Sequence, residues 1–519
     1  MEEGREGIVE AMRDWKAWAR AATIAALGCS LSAIAVTGRP GTASPPTHAE
    51  IPRRQGLPPH LGYGINVRLE DNIDLVAPLG FEWVKLWEEY VGGPPAERLP
   101  YKILFTIERN GMPTNLDEWG NHVEAIAGAG LGVVEAYEIG NEPNTERFWG
   151  GAPPDPYQYV QVLQVAYERV KAVDPAATVV SAGLAPVGRI EGNCNGWNGN
   201  DCSAMDEREY ARQMFLLGAG DYLDAFGYHP YGFAYEPETD PHSVSNGFAF
   251  RGVEVMHDLL KQYGLGHKPL WATEFSWLRD PSEDGAVPGW CHNIPEYRDN
   301  FGWMDVSEVQ QANYITRAFQ YADENWPWMG AMFVWNLDWH DYDWLCEPAR
   351  YFSLLKINYT DYDPSTDPPP APYTTTLAYD ALAAMEKHPG PFGPRLAVTP
   401  SALTFLADVD EPGVVTTTLR PWNAGYRVLT WTATISLGMQ VTPTLAITTG
   451  FQGTPLTVTV DSTGYVTGTF TGSITVTATT TDVLDVPQVV PVTLLIVPEV
   501  YRVYLPVTFG CSLSARSAP

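Results

Sequence analysis

Eight short apolar runs, most of them followed by a helical pattern, constrain the fold of this 519-residue chain more tightly than any other feature. The runs are "LGYGINV" (61–67), "FEWVKLW" (81–87), "KILFTI" (102–107), "VVEAYEIGNE" (133–142), "TVVSAGL" (178–184), "AFGYHPY" (225–231), "PLWATEF" (269–275) and "GAMFVWNL" (330–337). Between them lie helical patterns such as "PYQYVQVLQVAYERVKAV" (156–173), "GVEVMHDLLKQYG" (252–264) and "VSEVQQANYITRAFQYADENW" (306–326), and "TLAYDALAAMEKH" (376–388) supplies a last helix. Strands that run near-continuously apolar and alternate with helices belong to a parallel sheet covered on its outer face. The expectation is an α/β fold, a (β/α)8 TIM barrel over residues 51–392.

After "GPFGPR" (390–395) the pattern changes to short Thr/Val strands separated by turns, from "LAVTPSALTF" to "QVVPVTLLIV". This predicts a small all-β immunoglobulin-like sandwich over 393–510, with 511–519 as a tail. It carries no catalytic constellation, and a spacer or attachment role is expected.

Residues 1–50 read as a signal or anchor segment and linker. Arg13, Lys16 and Arg20 precede the apolar "AATIAALGCSLSAIAV", and a Pro-rich polar stretch follows. The apolar run, about 16 residues, is short for a membrane span. Membrane contact is therefore expected only through this segment, if it stays uncleaved or is lipidated at Cys29. The reading is a secreted or cell-surface monomer. Two loop-pinning disulfides, Cys194–Cys202 and Cys291–Cys346, fit such a compartment. A formal charge of -30 opposes nucleic acid as a partner. Neither a C-x-x-C pair nor H-E-x-x-H occurs, so no metal and no cofactor is expected.

A barrel of this kind places chemistry at the carboxyl ends of its strands. Polar residues stand there: Asn66, Lys85, Asn141 with Glu142, His229 with Tyr231, Glu274, and Trp335 with Asn336. Glu142 and Glu274 each leave an apolar strand, and two carboxylates at one mouth are the minimum equipment for glycoside hydrolysis. Alternation along the fourth strand puts Glu138, Gly140 and Glu142 on one face, with Glu138 deeper and in need of a cation such as Lys85 or Arg68. Pro143 is expected to end the strand at Glu142. Trp87, Trp149, Trp277 and Trp339 lie just past strand ends, where flat rings suit sugars.

"IGNEPN" on the fourth strand and "ATEFSW" on the seventh resemble the acid/base and nucleophile signatures of clan A glycoside hydrolases, nearest to families 39 and 5. The resemblance covers roughly residues 60 to 390 and implies a retaining (β/α)8 enzyme. It implies Glu142 as acid/base, Glu274 as nucleophile, Asn141 as ligand of the sugar 2-hydroxyl, His229 and Tyr231 (in "HPY") at the sugar and beside the nucleophile, and Trp335 as platform. Asn66, Trp87 and Trp277 complete the expected substrate-binding set. One departure stands out: family 5 ends its second strand in Arg, whereas "WVKLWEEY" offers Lys85. The function expected is a retaining glycosidase acting on a β-linked oligo- or polysaccharide. The alternative is a non-catalytic carbohydrate-binding surface protein with a degenerate barrel.

Overall fold

The computed structural model describes residues 57–500 except 69, 109–112, 114, 190–201, 285–288, 340–345, 358–372, 437–438, 450 and 452. The N-terminal segment, Cys194 with its expected bridge to Cys202, and the tail lie outside the described residues. Two compact units divide between Phe392 and Gly393.

In the first unit, eight strands appear where the apolar runs placed them: β1 (Gly62–Asn66), β2 (Trp83–Trp87), β3 (Lys102–Ile107), β4 (Ala136–Ile139), β5 (Thr178–Ser181), β6 (Phe226–Tyr228), β7 (Leu270–Phe275) and β8 (Met329–Val334). All pairings are parallel, in the order β5-β4-β3-β2-β1-β8-β7-β6. Parallel bridges Val180↔Ala225 and Leu184↔Tyr228 span the seam between β5 and β6, so the barrel is nearly closed. Side-chain caps start the surrounding helices. Asn115 and Asp155 accept backbone N–H bonds at Leu116–Ala129 and Pro156–Val173, and Ser307 with Gln310 forms a capping box on Glu308–Asn325.

Alternate strand residues fill the barrel in layers. Outward-facing Ile103, Phe105, Ile107, Tyr137 and Ile139 belong to the core shared with the helices. Inward, Trp83 meets Trp271 and Phe333 edge-on at 5.3 and 6.1 Å between centroids. Three large rings fit only because β1 supplies glycine: a Cβ on Gly64 would stand 2.5 Å from the Phe333 ring. Above the rings the interior turns polar, with Lys85, Thr106, Glu138 and Thr273 all fully buried.

The second unit packs a four-stranded sheet, Leu396–Thr399, Val414–Asn423, Leu456–Asp461 and Met439–Thr442, against a five-stranded one. Its core is Trp431, Leu419, Leu456, Val458, Ile474 and Val476. Alternation is clear on Leu456–Asp461, where Leu456, Val458 and Val460 are buried and Thr457 is exposed. Leu403–Asp408 pairs parallel to Gln488–Val497; the other pairings are antiparallel.

Cys291 and Cys346 form the expected disulfide, which fits an extracytoplasmic protein. Among the described residues no helix is long and apolar enough to cross a membrane.

Gly64→Ala should destabilise the barrel by about 1–3 kcal/mol through overpacking. Urea unfolding of Gly64→Ala with and without Phe333→Leu checks the cause, because the smaller side chain should restore part of the loss.

Candidate active site

The ladder of β4 stops at Ile139, before the residues that matter most. Gly140 (φ 81°) and Glu142 (φ 46°) both take left-handed backbone, so strand alternation does not reach Glu142. The expected role of Pro143 is therefore corrected: the strand has ended four residues earlier, at a turn that glycine makes possible. The Glu142 N–H donates to Gly183 O at 3.0 Å. Trp149 supports the same turn by donating its Nε1–H to Pro143 O at 2.7 Å. It is buried, a buttress rather than the exposed ring expected from its position past the strand.

On β7 the register against β8 shifts between Ala272 and Phe275. Thr273 Oγ1 lies inside, next to Gly183, while Phe275 packs outward on Phe319 of helix Glu308–Asn325. Breaking strict alternation lets Glu274 face inward as well.

Between the two glutamates sits His229. Its Nδ1 is 3.1 Å from Glu142 Oε1 and 3.6 Å from Glu274 Oε2. Glu142, His229 and Glu274 each contribute a polar atom to a cluster whose members lie within 4.8 Å of one another. The Glu142 side chain is 24% exposed and that of Glu274 only 5%. Tyr231 donates its hydroxyl to Glu274 Oε2 at 2.7 Å. The space for His229 depends on Gly183, where a Cβ would stand 2.1 Å from His229 Nε2.

Below them Lys85 is sealed from solvent, with Nζ 2.7 Å from Glu138 Oε2 and 3.6 Å from Glu274 Oε1. Glu138 also accepts from Thr106 Oγ1 at 2.7 Å and Gly183 N at 3.1 Å. Of the two cations considered for Glu138, the structure uses Lys85. Arg68 lies over Tyr90 and Trp339 instead, at 5.0 and 5.6 Å.

The electrostatics follow from these contacts. Burial would raise the Glu138 carboxyl, but Lys85, His229 and Thr106 hold it below the usual carboxylate range. The Glu274 carboxyl is raised, by burial first and by Glu142, against the opposing pull of His229 and Lys85. Burial pulls His229 down, yet Glu274 and Glu142 outweigh it and raise the imidazole. Burial and the Glu274 charge keep Tyr231 protonated as a donor.

The other expected contacts divide. Asn141 is buried beside Glu142 with its Oδ1 unpartnered; Glu274 Oε1 and Trp335 Nε1 are likewise buried without a hydrogen-bond partner. Trp335 packs on Trp87 and Trp339 at 5.8 and 4.3 Å. Asn66 and Trp87 are spent on each other. Asn66 donates to Thr273 O and Val334 O, both at 3.2 Å, and accepts from Trp87 Nε1 at 3.1 Å. They support the mouth from beneath. Trp277 is corrected outright: it is fully buried outside the barrel between Phe250 and Tyr314, its Nε1–H donated to Tyr235 O at 2.7 Å.

Two residues at the mouth escaped the sequence reading. Glu108 follows β3 directly, and burial pushes its carboxyl up to about 8 despite the opposing charge of Arg147. Arg147, in the turn after Glu142, senses Glu108 and Glu142. The signal for Glu108 was present, since "KILFTIE" ends an apolar run in glutamate as the fourth and seventh runs do.

Lys85→Met should cost about 3–5 kcal/mol by leaving Glu138 charged and unpaired in the interior. Adding Glu138→Gln should recover part of that loss, as read by urea unfolding of the single and double variants.

No protein-family model matches the sequence, and no curated protein matches it. Among solved structures, a GH39 β-xylosidase from Caulobacter crescentus is 13% identical, with 79% of this chain and 98% of that one covered and a TM-score of 0.39. A calcium-binding mutant of Bacteroides uniformis β-glucuronidase 2 is 11% identical, with 85% and 46% covered and a TM-score of 0.38. A β-galactosidase described as such from Bacteroides fragilis is 11% identical, with 85% and 57% covered and a TM-score of 0.35. This chain spans about half the length of the glucuronidase and galactosidase. The nearly closed parallel barrel, with glutamates just beyond the fourth strand and on the seventh, fits the clan A glycoside hydrolases that the motifs resemble.

Proposed function

We propose that this protein is a retaining glycoside hydrolase acting on a β-linked glycan, with Glu142 as acid/base and Glu274 as nucleophile. The observation that carries the reading is the close carboxylate pair, with oxygens of Glu142 and Glu274 within 4.8 Å. Retaining enzymes hold their carboxyl groups about 5–5.5 Å apart; inverting enzymes need about 6.5–9.5 Å to admit water. The unpartnered atoms of Asn141, Glu274 and Trp335 add support. Buried polar atoms are ordinarily satisfied, and three orphans around one carboxylate pair suit a hydroxyl-rich ligand.

The steps follow from the side chains. Tyr231 donates to Glu274 Oε2 while Lys85 lies beneath Oε1, and the carboxylate they hold attacks the anomeric carbon. The glycosidic C–O bond breaks as Glu142 gives its proton to the leaving oxygen. His229, between the two carboxylates with Nδ1 3.1 Å from Glu142 Oε1, donates to the carboxylate left behind. Glu142 then takes a proton from water, whose oxygen attacks the same carbon and releases Glu274. Lys85 is a positioning residue in this scheme, its charge opposing the burial that would protonate Glu274.

Glu274→Gln should abolish turnover of aryl β-glycosides while leaving the circular dichroism spectrum intact. Glu142→Ala should lose about 10²–10⁴-fold on substrates with poor leaving groups. Azide should restore turnover on a good leaving group, yielding the β-glycosyl azide. Glycan binding without hydrolysis across a broad β-linked panel would instead establish the non-catalytic alternative, and an inverted product by NMR would overturn retention.

The pH profile tests Lys85. Glu274 must be ionised to attack, and its carboxyl is raised, so kcat/KM should fall on the acid side with an apparent pKa above 4.5. Removing the Lys85 cation removes a lowering influence, so the acid limb of Lys85→Met should move to higher pH. A limb that stays in place would deny Lys85 this role.

A further inference from the structure

A second group of titratable side chains gathers away from the carboxylate pair, in the segment that follows β7. Asp280 N–H donates to Val306 O at 2.8 Å and Val306 N–H to Leu278 O at 2.9 Å. This clasp closes the segment on itself and brings Asp280 beside Asp305. His292 arrives from the middle of the segment, held next to the Cys291–Cys346 disulfide. Its Nε2 lies 2.8 Å from Asp280 Oδ1 and 3.5 Å from Asp305 Oδ2. One donor atom from each of the three residues falls within a 4.8 Å cluster.

Asp305 is the telling member. Its side chain is 8% exposed, and Oδ2 is buried without a hydrogen-bond partner. Tyr297 donates to the other oxygen, Oδ1, at 3.0 Å, and its ring stands edge-on to His292 at 5.6 Å. Ser282 N–H fixes Asp280 Oδ1 at 2.8 Å. The surroundings thus orient all three groups while leaving one buried carboxylate oxygen unsatisfied, which a neighbouring imidazole at 3.5 Å does not remedy.

We propose that Asp280, His292 and Asp305 form a site for a single divalent metal ion of the zinc type, separate from the Glu142–Glu274 pair. In tetrahedral geometry, zinc bonds to imidazole and carboxylate of about 2.0–2.2 Å put neighbouring donor atoms about 3.3–3.6 Å apart. The observed 3.5 Å between His292 and Asp305 already fits, and the 2.8 Å His292–Asp280 hydrogen bond would open by about 0.5 Å to admit the ion. One imidazole with two carboxylates suits zinc better than calcium, which takes six to eight oxygens. Two carboxylates balance the charge of the ion. Tyr297 and Ser282 serve as the outer partners that aim the ligands. The ion would tie the segment at a second point besides the disulfide. The expectation of no metal came from the lack of closely spaced ligand motifs; here the ligands come together only by the folding of the segment.

The test is calorimetric titration of ZnCl2 into the chelator-stripped full chain and three variants. The wild type should bind one Zn2+, and Asp305→Asn and His292→Gln should each weaken it about tenfold or more. Glu142→Gln, which alters the other cluster, should leave this affinity unchanged. Zn2+ should raise the Tm of the wild type and not that of Asp305→Asn or His292→Gln. No binding at millimolar Zn2+, or binding that survives both variants and disappears in Glu142→Gln, would overturn the proposal. His292 is 34% exposed, so His292→Gln decides the matter if Asp305→Asn does not fold.

Discussion

The ion pair of Lys85 with Glu138, closed off inside the barrel, is the interaction on which the upper half of this structure depends. A lone charge there would be untenable, so each residue obliges the presence of the other. Their placement in turn governs what surrounds them. Glu138 uses its second oxygen to hold Gly183 N, and Gly183 O holds the N–H of Glu142. Lys85 also leans toward Glu274 and lies 4.1 Å from the Trp87 ring. One buried pair therefore reaches both glutamates of the proposed mechanism, one through the backbone and the other through charge.

The mouth contrasts with the layer beneath it, where of Lys85, Thr106, Glu138 and Thr273 only the Thr273 hydroxyl lacks a hydrogen-bond partner. Lys85, Glu138, Asn66 and Thr106 have spent their hydrogen bonds on the protein, whereas Asn141 Oδ1, Glu274 Oε1 and Trp335 Nε1 have not. A core tolerates few such orphans, because each forgoes the bonds it had in water. At the carboxylate pair these orphans distinguish groups left for a ligand from the groups that build the site. Lys85 meets Glu138 on the second strand, where the sequence reading noted lysine in place of an arginine. A compact ammonium suits that place, since it must serve two carboxylates from one point rather than fork onto one.

The barrel was legible in the sequence because each strand is buried on both faces and so reads as an apolar run. The period of the intervening helices was equally plain, down to Pro156–Val173. Glu142 and Glu274 stood out as carboxylates leaving such runs. Trp277 misled for the same reason it attracted notice: a position just past a strand end says nothing of which way the chain turns, and here the ring goes outward into the helices. Glu108 was overlooked although its setting matched that of the two chosen glutamates.

What the sequence alone determined is the alternation of strand and helix, the change to a Thr/Val sandwich after "GPFGPR", and two glutamates brought to one mouth by parallel strands. These rest on local periodicity and on the fixed direction of a parallel barrel, neither of which needs coordinates. Tertiary structure decided the rest. Left-handed backbone at Gly140 and Glu142, and the register shift on β7, set which way each carboxylate faces. Those depend on close approaches between distant segments, such as Gly183 against His229. The meeting of Asp280, His292 and Asp305 is of the same kind, since no period or short motif encodes a contact that exists only once a segment closes on itself.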